Sequence, residues 1–197
     1  IATLSDAQVM DKLGRRGVAP EGRFLPETYA FTRGTTDLQI LERAARSMDG
    51  ELDRVWRQRD PGLPFKSPDE LLTLASIVEK ETGLAPERPQ IAGVFVRRLE
   101  KGMLLQTDPT VIYGMGSSYN GNIRKADLER DTPWNTYRRA GLPPTPIAMP
   151  GKAALEAVAH PVGGQSLYFV ASGGGGHVFS DSLDAHNAAV RKYQLHR

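Results

Sequence analysis

The chain has no cysteine. Disulfide frameworks and thiolate zinc sites are therefore excluded, and stability has to come from a packed core. Long apolar runs are absent too: nothing approaches the roughly 20 residues a bilayer-spanning helix needs, and no signal-peptide pattern opens the chain. Charge of either sign is in small excess, 25 Lys and Arg against 23 Asp and Glu, for a formal +2. The arginines are scattered and form no stripe, so no nucleic-acid partner is expected. Four histidines, His160, His177, His186 and His196, include no pair at HExxH spacing, and neither a metal nor another cofactor is expected. The run "GGGG" (173–176) lacks the lysine and hydroxyl residue of a phosphate-binding loop. No GxSxG nucleophile elbow occurs either.

What remains is a 197-residue chain, 40% apolar and 24% charged, enough for one domain with a real core and room for a small appended piece. It begins at Ile1 rather than Met, so it reads as a fragment with any membrane anchor lying upstream.

Start and stop signals divide the chain. Residues 5–17 read as a short capped helix ending at Gly14 or Gly17. Residues 21–31 read as extended structure broken at Pro26. Over 35–50, Leu38, Leu41, Ala45 and Met48 share a helical face, with a capping box from Thr36 to Gln39. The strongest start signal is "SPDE": Ser67 as N-cap, Pro68 in the first turn, Glu70 closing a capping box. That helix should run to a stop at Gly83. Another follows Pro89, with Ile91, Val94, Phe95 and Leu99 on one face and a stop at Gly102. Residues 103–128 and 131–151 are rich in Gly, Pro, Asn and Tyr, the texture of binding loops. A short helix follows Pro150, residues 166–180 read as an aromatic hairpin, and the chain closes on a helix. The expected class is α+β, with helices packed on a mostly antiparallel sheet.

The chemical question lies in "EKE" (79–81). A helix turns about 100° per residue, so Glu79 and Glu81 point roughly 160° apart. Three, four and seven residues before Glu81 stand Val78, Ile77 and Leu74. Before Glu79 stand Ser76, Ala75 and Leu72, a smaller and more mixed set. Glu81 therefore prolongs the apolar stripe while Glu79 falls toward its edge. A carboxyl there is either a tuned acid, its proton affinity raised by desolvation, or a side chain that reaches past the core to water.

The segments "LASIVEKETG", "LQTDPTVIYGMG", "YNG", "NTYRRAGLPPTPIAMPG", "AHP", "LYFV" and "GGGHVFS" closely resemble, in order and spacing, the YceG-like family of endolytic murein transglycosylases. The resemblance runs from about Gly22 onward. It implies that Glu81 is the catalytic residue, an acid/base cutting the MurNAc–GlcNAc β-1,4 bond within peptidoglycan glycan strands to leave 1,6-anhydro ends. It further implies a single-pass anchor in the cytoplasmic membrane with the catalytic part outside, and cell-wall synthases of the penicillin-binding class as partners. Residues 1–20 would then be the remnant of a LysM-like module and 21–197 the catalytic domain.

Such chemistry needs one essential acid and neutral hydrogen-bonding partners for the sugar. Gln106, Thr107 and Asp108 suit a polar rim; alternatively Asp108 caps a short helix starting at Pro109. Asp108 is also the second carboxylate should the enzyme be a hydrolytic muramidase. Tyr113, Tyr119, Asn120, Asn135, Thr136 and Tyr137 are placed either to contact a glycan or to edge the core. The proline-rich 141–151 reads as a groove wall, and the groove is expected within 104–151. His177 reads as facing that groove or as a strand histidine with a satisfied hydrogen bond. A third reading is a non-catalytic glycan-binding module, which would have no use for a desolvated acid.

Overall fold

A computed structural model describes residues 1–195; His196 lies outside the described residues. Eight helices and one hairpin follow in order: α1 (Asp6–Lys12), α2 (Asp37–Gln58), α3 (Pro68–Glu81), α4 (Arg88–Glu100), α5 (Asp108–Met115), α6 (Lys125–Glu129), α7 (Lys152–Ala159), β1 (Tyr168–Ala171), β2 (His177–Ser180) and α8 (Leu183–Tyr193). The class is α+β as expected, and the sheet is antiparallel. It is a single two-stranded hairpin, pairing Phe169 with Phe179 and Ala171 with His177. The helices therefore supply most of the core themselves. Residues 21–31 form no strand; Leu25 packs into the core while its neighbours wrap the surface.

Helix α3 is the axis of the fold, touching α2, α4, α5 and α7. Ser67 caps it, accepting from the Glu70 amide at 3.4 Å, with Pro68 in its first turn. The expected capping box does not close. The Glu70 carboxylate instead accepts from the Lys66 amide at 2.6 Å, one residue further back. Residues 71–78 are all buried, so α3 is apolar on every side and carries no single stripe. Burying Leu71, Leu72, Leu74, Ile77 and Val78 is worth about 1.5–3 kcal/mol each. The helix ends at Thr82, whose extended backbone and hydroxyl, accepting from the Leu84 amide at 3.0 Å, do the work expected of Gly83.

Helix α2 runs past Gly50 to Gln58, because Leu52 and Val55 continue its buried face. Helix α4 stops as expected at Gly102 (φ 65°), in a Schellman motif: the Met103 amide bonds Arg98 O at 2.8 Å and the Gly102 amide bonds Leu99 O at 3.1 Å. At Gly93 the incoming backbone passes so close that a Cβ would sit 2.2 Å from Val162 O. Arg97 then binds Ser166 O and Arg98 binds Leu167 O, which moors the start of the hairpin to α4.

Candidate active site

A cleft of about 450 Å³ opens where α3 ends. Its floor is Glu81. One wall is the 105–108 segment with Tyr137; the other is the hairpin, through Tyr168, Phe169 and His177, together with α8.

The first wall is held by three threonines, two in one turn and the third 26 residues beyond the second. The Thr110 hydroxyl donates to Thr107 O at 2.7 Å, so the 2.8 Å contact between the Thr110 and Thr136 hydroxyls must have Thr136 as donor. The Thr107 amide donates to Thr136 Oγ1 at 3.1 Å, and the Gln106 amide to Thr136 O at 3.1 Å. Thr107 is thus fixed at both backbone ends, and its hydroxyl donates to Glu81 Oε1. With Oε1 engaged as an acceptor, a proton on this carboxyl belongs on Oε2. Beside it Gln106 holds φ +50°, a strained conformation for a residue with a side chain and a pattern that recurs at binding sites.

Burial raises the proton affinity of Glu81 above the usual carboxylate range. The Thr107 hydrogen bond opposes that shift, the nearby Asp108 charge adds to it, and His177 pulls it back slightly. Burial is the largest of these effects, so the net shift is upward. Asp108 is the first residue of α5 rather than its cap, and its carboxylate accepts from the Tyr137 hydroxyl at 2.6 Å. Burial, followed by the Asp108 bond, keeps the Tyr137 phenol protonated well above its ordinary range.

Glu79 has a different occupation. Its carboxylate accepts from the Gly151 amide at 3.1 Å, at the N-terminus of α7, where the helix dipole favours a negative charge. It is a structural anchor, neither a site residue nor a merely solvated edge.

The structure brings Gln106, Thr107, Asp108 and Tyr137 together around Glu81. Thr136 is buried behind them as a brace. Asn135 is 1% exposed; its amide nitrogen donates to Leu128 O at 2.9 Å and Arg130 O at 2.6 Å, and its oxygen accepts from the Tyr137 amide at 2.9 Å. Tyr113 packs edge-on against Trp134, ring centres 5.4 Å apart. Tyr113, Asn120 and Asn135 all lie outside the cleft lining. The proline-rich 141–151 is not a cleft wall. It threads back over α3, with the Ile147 amide bonded to Ser76 Oγ at 2.9 Å, and it edges a separate hollow.

Sequence reasoning missed most of the second wall. His177 satisfies both readings: its backbone amide and Nδ1 each lie 2.8 Å from Glu87 oxygens, while the residue lines the cleft. Arg98, Tyr168 and His186 also line it. One signal was present for Arg98, since Phe95, Val94 and Ile91 stand three, four and seven residues before it, the same pattern that singled out Glu81. Among the described residues no group of three or more His, Asp and Glu side chains converges as a metal site.

Fold and site together define a class: a helical α+β domain with a desolvated carboxyl on the floor of an open, ring-lined cleft. The chain belongs to the YceG-like family, whose model matches residues 2–192. It is 39% identical over 173 residues to the endolytic murein transglycosylase of Bacillus subtilis (strain 168), covering 88% of this chain and 48% of that protein. To the endolytic murein transglycosylase of Streptococcus pneumoniae serotype 2 it is 32% identical, covering 88% of this chain and 32% of the relative. A crystal structure of a YceG-like protein from Listeria monocytogenes superposes with a TM-score of 0.74 at 36% identity, over 91% of this chain and 59% of that one. The chain spans about half the length of its Bacillus relative and about a third of the Streptococcus one.

Proposed function

We propose that this chain is the catalytic part of an endolytic peptidoglycan lytic transglycosylase. It cuts the MurNAc–GlcNAc β-1,4 bond inside glycan strands, with Glu81 as the single acid/base, and so trims or terminates nascent strands. The observation that carries this reading is the Glu81 carboxyl itself: desolvated, held through Oε1 by Thr107, and open to a cleft wide enough for sugar rings. Protonated Glu81 would deliver its proton to the leaving oxygen, and the carboxylate so formed would take the proton of the sugar's own C6 hydroxyl as that oxygen closes on C1. Gln106 and the Asp108–Tyr137 pair are placed to orient sugar amides and hydroxyls.

Two similar relatives named for this activity support the reading. An extracytoplasmic location, a single-pass anchor upstream in the cytoplasmic membrane, and association with penicillin-binding synthases belong to the same proposal. No helix among the described residues is long and apolar enough to cross a membrane. We also assign residues 1–20 to the end of a LysM-like module and 21–197 to the catalytic domain. The Arg15–Asp49 ion pair joins the first of these segments to α2, and Met10 within it is buried.

A hydrolytic muramidase is the second reading, because Asp108 lines the same cleft. Digestion of glycan strands in ¹⁸O-labelled water separates the two. Unlabelled anhydro ends, one water lighter than hydrolysed ends and resistant to borohydride, are expected from Glu81 acting alone. Labelled, reducible ends from the first turnover would move Asp108 into the chemistry.

A further inference from the structure

Arg98 is the second charged residue set into the cleft wall at the end of an apolar helix face. It is only 8% exposed, and no carboxylate pairs with it among the described residues. Its Nε donates to Leu167 O at 2.7 Å, and Nη1 donates to Leu104 O at 3.1 Å and Leu105 O at 2.9 Å. Neutral carbonyls satisfy those N–H groups without cancelling the charge, and an unmatched buried cation is costly. Nη2 has no partner among the described residues, and it is not among the polar atoms sealed from solvent.

Two rings complete the surroundings. The guanidinium carbon lies 5.1 Å from the centre of the Tyr168 ring, and Tyr168 stacks on His186 with centres 5.3 Å apart and planes 26° from parallel. His186 Nδ1 is buried with no hydrogen-bond partner. All three residues line the cleft that holds Glu81.

We propose that Arg98, Tyr168 and His186 form an anion subsite that takes a carboxylate carried by the substrate, alongside the sugar whose bond is cut. The proposal rests on the glycan-cleaving reading and names what the cleft recognises beyond the sugar rings. The open Nη2 edge supplies charge-assisted donors, and His186 Nε2, which has no partner among the described residues and is not sealed like Nδ1, adds a further donor. Burial, then the Arg98 charge, holds His186 toward its neutral form; an anion on Arg98 relieves the second of these. In peptidoglycan such a carboxylate has two sources, the lactyl group of a peptide-free MurNAc or the stem peptide attached to it.

The test is binding to the Glu81→Gln chain, which cannot turn strands over. Three probes are compared by calorimetry: peptide-free strands with free lactyl carboxylates, the same strands converted to methylamides, and strands that retain their stem peptides. At least one carboxylate-bearing probe should bind about tenfold tighter than the methylamide, the worth of a charge-assisted hydrogen bond. A gain confined to peptide-free acid strands places the carboxylate on the lactyl group; a gain confined to peptide-bearing strands places it on the peptide. Arg98→Gln should erase the gain. Should that variant not fold, His186→Phe keeps the stack on Tyr168, removes the ring nitrogen and should reduce the gain. Equal binding of all three probes overturns the subsite and leaves the glycan reading standing. No binding of any strand overturns both.

Discussion

The two walls of the cleft are built in opposite ways. On the 105–137 side nearly every polar group is spent on the protein itself: Thr110 on Thr107, Thr136 on Thr110, Tyr137 on Asp108, and Asn135 on the 128–130 turn. On the 168–194 side, rings are presented on a hairpin of two four-residue strands and a terminal helix, and at least one ring nitrogen has no partner. One wall is a clamp and the other a receiving surface. The contrast suits a reaction in which a single carboxyl must be held within a narrow geometry while a long, variable polymer slides past it.

The sharpest way to break this comparison is at the floor between the walls. Glu81→Gln should lower strand cleavage on the order of 10²-fold or more, because the amide keeps the Thr107 contact but has no proton to deliver. Glu79→Gln should change turnover by only about twofold, since its amide oxygen still accepts from Gly151. The check is release of anhydro ends by the two variants side by side. The reverse ranking would dissolve the distinction between floor and anchor.

Thr107→Val probes the clamp with a smaller effect, about a tenfold loss for one missing orienting bond. It also carries a pH signature. On the proposed mechanism Glu81 acts in its protonated form, so activity should fall as pH rises through its raised pKa. The Thr107 bond favours the carboxylate; removing it raises the pKa further and should move the alkaline limb of the rate profile to higher pH. A limb that moves down, or stays put, would mean that Thr107 does not set the carboxyl's proton affinity.

Asn135→Ala should have the smallest effect on turnover per folded molecule and a large one on stability. It removes the hydrogen bonds of a buried side chain to Leu128 O, Arg130 O and the Tyr137 amide, a cost of about 2 kcal/mol, or on the order of 4–8 °C in melting temperature. Thermal unfolding followed by circular dichroism reads this directly. A slow enzyme with an unchanged melting temperature would place Asn135 on the substrate after all.

Some of this was legible in the chain. Thr36 and Ser67 mark helix starts because a capping hydroxyl acts within three residues of itself, and both cap as read, although the box from Ser67 to Glu70 does not close. Glu81 was singled out by spacing, though for a reason that needs revising. Helix α3 is buried on all sides, so the two glutamates differ by what lies beyond the helix, α7 for Glu79 and the cleft for Glu81. The same spacing marked Arg98, and that signal passed unread because an arginine after an apolar run ordinarily extends its stem to water. The sequence expectation put the groove inside 104–151, since loop texture identifies flexible composition and not which surfaces face one another. The hairpin wall, Tyr168 to Ser180, lies beyond that stretch.

By itself the sequence determined what local physics can decide: where α2 and α3 begin, where α4 stops, and that the fold is α+β. Only the tertiary structure decided the partnerships. Thr107 with Thr136, Glu79 with Gly151, Glu87 with His177 and Arg98 with Leu167 are all hydrogen bonds between residues 29 to 90 apart in the chain. Such a bond is short-ranged and directional, so it forms only once the packing of α3 against its neighbours has brought donor and acceptor within about 3 Å. No pattern of neighbouring residues encodes that approach.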